Sequence, residues 1–229
     1  MRLLSPKVYD PFVSFLGAVL FVAAILVTAV TSAASAATDE GAGAFLMSFG
    51  KRAADEINNE SLSEADREQR FRELFNEVID VPAIGRFVLG IHWRGATAEQ
   101  RAEFLAVFED MAVQRFLPMI TRQSAEYAGK SFSIVDVRRD QTNEDRVYVT
   151  SSLIREEGPP IRMIWQLREH DGRFKVLDIN IEGLSMALTL RQEYSSVVKR
   201  SGGVDGLVKL LREKVAAGAF KPDTGGAGR

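Results

Sequence analysis

The stretch Ile161-Arg162-Met163-Ile164-Trp165-Gln166-Leu167-Arg168 decides the fold. In an extended chain Ile161, Met163, Trp165 and Leu167 fall on one side and Arg162, Gln166 and Arg168 on the other, the period of a strand with one buried face. Three more extended segments surround it: Phe132 to Val137 and Arg146 to Ile154 before it, and Arg173 to Ile181 after it. The links Glu156-Glu157-Gly158-Pro159-Pro160 and His170-Asp171-Gly172 read as hairpin turns. Parallel neighbours would need crossovers of about a dozen residues, so the strands form an antiparallel meander.

Helical periodicity brackets this sheet. Upstream, Phe45, Leu46, Phe49, Ala53 and Ile57 form one stripe, and Phe71, Leu74, Phe75, Val78 and Ile79 form another that Ser63 can cap. Asp80-Val81-Pro82 restarts a short helix that Gly90 stops. Thr97-Ala98-Glu99-Gln100 has the capping-box pattern and opens the strongest helix, lined by Phe104, Leu105, Phe108, Met111, Ala112 and Phe116. Pro118 is expected to end or kink it, because proline lacks an N–H and clashes with the preceding turn. Two further helices, about Ser185 to Lys199 and Asp205 to Val215, are split by Ser201-Gly202-Gly203. The expected fold is α+β, a four-stranded antiparallel curved sheet packed against several helices.

Composition limits the chemistry. The chain has 229 residues, 46% hydrophobic, with Lys+Arg 29, Asp+Glu 31, two His and no Cys. The missing Cys excludes disulfides, thiolate catalysis and iron–sulfur ligation, and two His make a metal centre improbable. A net charge of −2 offers no surplus for nucleic acid.

The hydrophobic residues are unevenly spread. Residues 1–37 contain 25 of them, and no charge lies between Asp10 and Asp39. Arg2 and Lys7 precede the apolar run Phe12 to Val30, and small residues follow to Ala37. This is the layout of a secretory signal peptide cleaved after Ala36 or Ala37, with an uncleaved N-terminal anchor as the competing reading. Residues 38–218 are expected to form the folded domain and 219–229 a flexible tail. Residues 38–229 together hold 80 hydrophobic residues in 192, an ordinary share for a water-facing protein.

Reactive groups find little support. Gly183-Leu184-Ser185-Met186-Ala187 resembles a nucleophile elbow, but no His follows it and the sheet is a meander, so Ser185 is read as a helix N-cap. His92 is read as a packed loop residue, His170 as an exposed turn residue, and Asp178 and Glu182 as solvated or Arg-paired carboxylates. Ser201-Gly202-Gly203-Val204-Asp205-Gly206 lacks the Lys-Ser/Thr of a phosphate loop. What remains is apolar. The candidate lining of a cavity for an apolar ligand is Phe104, Phe108 and Met111 on the long helix and Val147, Val149, Met163, Trp165 and Leu167 on the strands, completed by Trp93 and Tyr194.

Two blocks carry a resemblance. One is Arg86-Phe87-Val88-Leu89-Gly90-Ile91-His92-Trp93-Arg94-Gly95 with Thr97-Ala98-Glu99-Gln100-Arg101-Ala102-Glu103-Phe104. The other runs from Trp165-Gln166-Leu167 through Val176-Leu177-Asp178 and Glu182-Gly183-Leu184-Ser185 to Arg191-Gln192-Glu193-Tyr194, followed by Gly203-Val204-Asp205-Gly206-Leu207. Their order and spacing resemble the MlaC, or toluene-tolerance, family over about residues 45–215. His92-Trp93 departs from the paired aromatics of many members. The resemblance implies a nuclear-transport-factor-like sheet and a periplasmic phospholipid carrier without catalytic residues or cofactors. Its partners would be an outer-membrane lipoprotein complex and an inner-membrane ABC transporter with its MCE-domain protein. A hopanoid or other polycyclic cargo is an alternative, as is an enzyme of the same fold acting on a small apolar substrate with Asp178 or His92 as base.

Overall fold

The computed structural model describes residues 39–59, 61–126, 132–154 and 158–221. The leader, residues 222–229 of the tail, and Glu156 and Glu157 of the first hairpin turn lie outside the described residues.

Helix α1 (residues 39–57) leads through a short turn into α2 (Glu64–Val78), α3 (Val81–Leu89), α4 (Ile91–Gly95) and α5 (Ala98–Glu126). The sheet follows as β1 (Phe132–Arg139), β2 (Arg146–Leu153), β3 (Ile161–His170), β4 (Arg173–Ile181) and β5 (Leu184–Ser185), and α6 (Met186–Arg200) and α7 (Val204–Ala216) close the chain. Sheet order is β1-β2-β3-β4-β5 with every pairing antiparallel, so the sheet has five strands rather than four. The fifth is two residues long, too short for any periodicity to announce. Register shifts between Ile134 and Asp136, and between Gln166 and Leu167, mark bulges that bend the strands they interrupt.

Local chemistry accounts for the boundaries. Ser63 accepts from the Asp66 N–H, and Asp80 accepts from the Ala83 N–H beside Pro82 in the first turn of α3. Thr97 Oγ1 accepts from the Gln100 N–H at 3.2 Å while Gln100 Oε1 accepts from the Thr97 N–H at 2.9 Å, a complete capping box. The two-residue turns Asp171-Gly172 and Glu182-Gly183 both hold positive φ, the backbone that matches the twist of paired strands. Helix α5 does not stop at Pro118; it passes through and continues to Glu126. Downstream, Thr121 Oγ1 donates to the carbonyls of Leu117 and Pro118, both at 3.1 Å. The expected end reflects proline's intrinsic cost, which tertiary packing of α5 on α2, α3 and α7 overrides.

Two apolar clusters result. One is helical, built by Phe71 and Phe75 of α2, Val88 and Leu89 of α3, Phe104, Phe108 and Met111 of α5, Tyr194 and Val198 of α6, and Leu207 and Leu211 of α7. The other lies under the sheet, where Ala42, Leu46 and Ala53 of α1 and Leu74 and Val78 of α2 meet Val147, Val149, Leu167 and Val176. Helix α2 serves both, because its phenylalanines and its Leu74/Val78 pair point to different sides. Phe220, expected in the tail, packs on the helical cluster. Among the described residues no helix is long and apolar enough to cross a membrane.

Close approach explains two glycines. A Cβ on Gly206, in the first turn of α7, would lie 1.9 Å from the Ser201 carbonyl oxygen, and one on Gly85 would lie 2.4 Å from Leu105 Cδ2. Gly206→Ala is therefore expected to lower stability by about 1–3 kcal/mol, since the obstacle is backbone. Gly95→Ala, with nothing within 4 Å of the added methyl, should be neutral or slightly stabilising. Urea midpoints of the two variants check this; an equal effect at both positions would refute it.

Candidate functional site

Register places the apolar residues of the sheet in rows. Arg139, Val147, Leu167 and Val176 form one cross-strand row, Val137, Val149, Trp165 and Ile179 the next, and Ile134, Ser151, Met163 and Ile181 the third. Cover fades along them. In the first row Val147, Leu167 and Val176 are at most 1% exposed, sealed by α1 and α2. In the second Val149 is buried while Val137, Trp165 and Ile179 are half-buried. In the third Ser151 is buried and Ile134, Met163 and Ile181 are half-buried; Ile134 still packs on the sheet cluster, while Met163 and Ile181 stand outside both clusters. The face thus runs from a dry core to a partly open apolar end.

Trp165 sits at the transition. Its Nε1–H donates to Ser151 Oγ at 2.8 Å, a diagonal pair on the same face, and Ser151 is fully buried. The indole's one polar atom is satisfied inside the sheet, so its ring adds apolar surface without demanding a partner from a ligand. Ser151, Ile179 and Ile181 were not among the expected lining residues. The register that aligns them with Met163 and Trp165 depends on pairing, which alternation within one strand does not reveal.

The ten expected lining residues divide. Val147, Val149, Trp165, Leu167 and Met163 share the sheet face, as alternation implied. Phe104, Phe108, Met111 and Tyr194 lie instead in the helical cluster, with the Tyr194 ring edge-on to both phenylalanines at 6.1 and 6.4 Å. The stripe of α5 meets other helices rather than the strands. Trp93 is half-buried at the edge of that cluster under the Arg101 guanidinium, 5.4 Å from its ring centre.

Groups that could do chemistry are tied up in structure. Asp178 Oδ2 accepts from Ser185 Oγ at 2.6 Å, and Oδ1 accepts from the backbone N–H groups of Ile179 and Ala187, both at 2.9 Å. Ser185 Oγ also accepts from the Leu188 N–H at 3.0 Å. Together they fasten the end of β4 to the first turn of α6, where an anion suits the helix N-terminus. Glu182 Oε1 accepts from the Arg162 N–H at 2.8 Å and does not pair with Asp178. His92 Nε2 is buried without a partner, and His170 is exposed beside Asp171. Among the described residues no group of three or more His, Asp or Glu is placed to hold a metal ion.

A family model described as MlaC protein matches residues 48–213, from within α1 into α7. The chain belongs to the MlaC family. A solved phospholipid-binding protein from Ralstonia solanacearum, in complex with a phospholipid, is similar to it with a TM-score of 0.65 and 21% identity over 77% of this chain and 98% of that chain. At that identity the likeness is one of fold. The MlaC match covers most of both clusters, though not Ala42 and Leu46 of α1, and includes the Asp178–Ser185 fastening.

One orphan in this MlaC-family domain sets a pH response. The Tyr194 hydroxyl is buried and has no hydrogen-bond partner, and burial pushes its phenol well above the ordinary value near 10. A raised folded-state pKa contributes stability below the unfolded value and loses it as pH climbs above about 10. Tyr194→Phe should be at least as stable as wild type at neutral pH and should flatten the fall in stability above pH 10. Urea titrations between about pH 8 and 11 measure it; an unchanged alkaline slope would sink the idea.

Proposed function

We propose that this protein is an exported lipid carrier that holds the acyl chains of a phospholipid on the open end of its sheet face. In this reading residues 1–37 are the export signal and the domain works in the periplasm. It carries lipid between an outer-membrane lipoprotein complex and an inner-membrane ABC transporter with its MCE-domain protein. The observation that carries the reading is the gradient of cover along the sheet, a mainly apolar face that α1 and α2 bury at the Val147 and Leu167 end and leave half-buried, outside both clusters, at Met163 and Ile181. Membership of the MlaC family supports it, as does a phospholipid-bound protein of similar fold.

The physical need is plain. An acyl chain of about 16 carbons exposed to water costs roughly 13 kcal/mol at about 0.8 kcal/mol per CH₂, so unaided transfer between membranes is slow. Half-buried aliphatic and indole surface can take over much of that burial without a reactive group. The engagement of both Asp178 oxygens removes the motive for reading it as a base, which favours binding over catalysis.

Organic extraction of purified protein followed by mass spectrometry tests the carrier. Wild type should release about one phospholipid per chain, and Met163→Glu should keep its fold and lose most of the lipid, because a carboxylate in that row would be buried against acyl chain. Phe108→Glu should instead unfold the helical cluster, with a loss of about 3–5 kcal/mol. A lipid-free wild-type extract, or full occupancy in Met163→Glu, would overturn the assignment.

A further inference from the structure

Away from the sheet face, α3, α4 and α6 build a second surface whose character the carrier reading does not explain. Phe87, Ile91 and Trp93 line a shallow groove together with Arg86, Arg94 and Arg191. Phe87 is 43% exposed and Ile91 62%, while Leu184 of β5 and Leu188 of α6 are 70% and 47% exposed. Large apolar side chains are normally exposed singly. Here Phe87 and Ile91 share one groove, and Leu188 lies one turn before Arg191 on α6, which packs against α3; Leu184 precedes that helix in β5.

The cations are as telling. Arg86 and Arg94 are exposed, and no carboxylate among the described residues forms an ion pair with either of them or with Arg191. The Arg191 guanidinium instead lies 4.8 Å over the Phe87 ring and against Gly90, where a Cβ would come within 3.1 Å of its terminal nitrogen. Glycine at 90 is what lets Arg191 settle there. Glu182, the acid nearest Leu184 in sequence, is turned to the Arg162 N–H. In a chain of net charge −2, three unpaired guanidiniums around an apolar patch are a local excess of positive charge.

We infer that this surface docks the protein on an anionic phospholipid bilayer, with Ile91, Phe87, Leu184 and Leu188 entering the interface and Arg86, Arg94 and Arg191 engaging lipid phosphates. Guanidinium matches phosphate in shape as well as charge, and a Trp at the rim of an apolar patch suits the headgroup region. A few apolar side chains alone hold a membrane only weakly, and adding cations makes the contact selective for anionic lipid and sensitive to salt. Docking of this kind is reversible, and it does not depend on whether the sheet face carries lipid.

The absence of Cys allows a site-resolved test on the full chain. Single variants Ile91→Cys, Leu188→Cys and, as a control on an exposed part of β1, Val135→Cys are labelled with an environment-sensitive fluorophore. Each is mixed with vesicles of phosphatidylglycerol and phosphatidylcholine, or of phosphatidylcholine alone. A blue-shifted rise at 91 and 188, absent at 135 and absent with phosphatidylcholine alone, supports docking. Arg86→Gln with Arg94→Gln should weaken the response about 25-fold, at about fivefold per arginine, and about 0.5 M salt should weaken it further. No response at 91 and 188, an equal response at 135, or an equal response to neutral vesicles overturns the proposal, leaving a protein partner as the occupant. Adding Met163→Glu separates the two readings, because it should empty the carrier and leave the vesicle response intact.

Discussion

The structure depends on how one apolar sheet face is covered. An antiparallel sheet with alternating strands must bury one side, and each half-exposed Ile, Met or Trp on it forgoes part of the about 1.5–3 kcal/mol that full burial contributes. Cover is supplied by α1 and by one side of α2, and it runs out within the row of Ile134, Met163 and Ile181, where Ile134 still packs on the sheet cluster and Met163 and Ile181 do not. The longest helix is not spent there. The stripe of α5 meets α2, α3 and α7, and polar contacts fix it along α7: Gln100 Nε2 donates to Asp205 at 2.8 Å near one end and Gln114 Nε2 to the Val215 carbonyl at 2.7 Å near the other.

Helix α2 is the joint that lets two cores coexist. Phe71 and Phe75 anchor it in the helical cluster while Leu74 and Val78 close the sheet, so neither core can shift without disturbing the other. Its far end is pinned to the sheet, since the Asp80 N–H donates to the Val176 carbonyl of β4 at 3.0 Å and the Asp80 side chain both caps α3 and pairs with Arg168 of β3. Arg67, at the near end, donates to the carbonyl of Ile57 at the close of α1. The helical cluster thus acts as a firm backing against which the partly covered sheet is held open.

Much of this was legible in the sequence, and the boundary of legibility is physical. Strand limits, the Ser63, Thr97 and Ser185 caps and the turn glycines are local events, decided by residues within one or two turns of each other. The inward sheet face was legible for the same reason, because Val147, Val149, Met163, Trp165 and Leu167 alternate along their strands with residues that, Ile164 apart, carry polar groups. Periodicity names the buried side of a helix but not what buries it, and so Phe104, Phe108 and Met111 were read as facing the strands when they face α3, α6 and α7. Ser151 was invisible as a site residue, because its meaning lies in a contact with Trp165 across two strands. Ser185 was legible as a cap, but its partner Asp178, read as solvated or Arg-paired, is instead a fastening across β4 and α6 that only the fold brings together.

The Ser151 contact has a consequence for recognition. Ser151 satisfies the indole N–H of Trp165, so the polar atom of the indole on the open face directs its hydrogen bond into the protein. A face prepared in this way offers a ligand shape and apolar area rather than donors or acceptors. Discrimination among apolar ligands by such a surface is modest, about 1–3 kcal/mol per methylene accommodated or refused, whereas a headgroup would have to be read by the rim. On the carrier reading, the sheet therefore sets how much chain is held. Selection between lipids then falls to the edges of the open end and to the surfaces at which the protein loads and unloads.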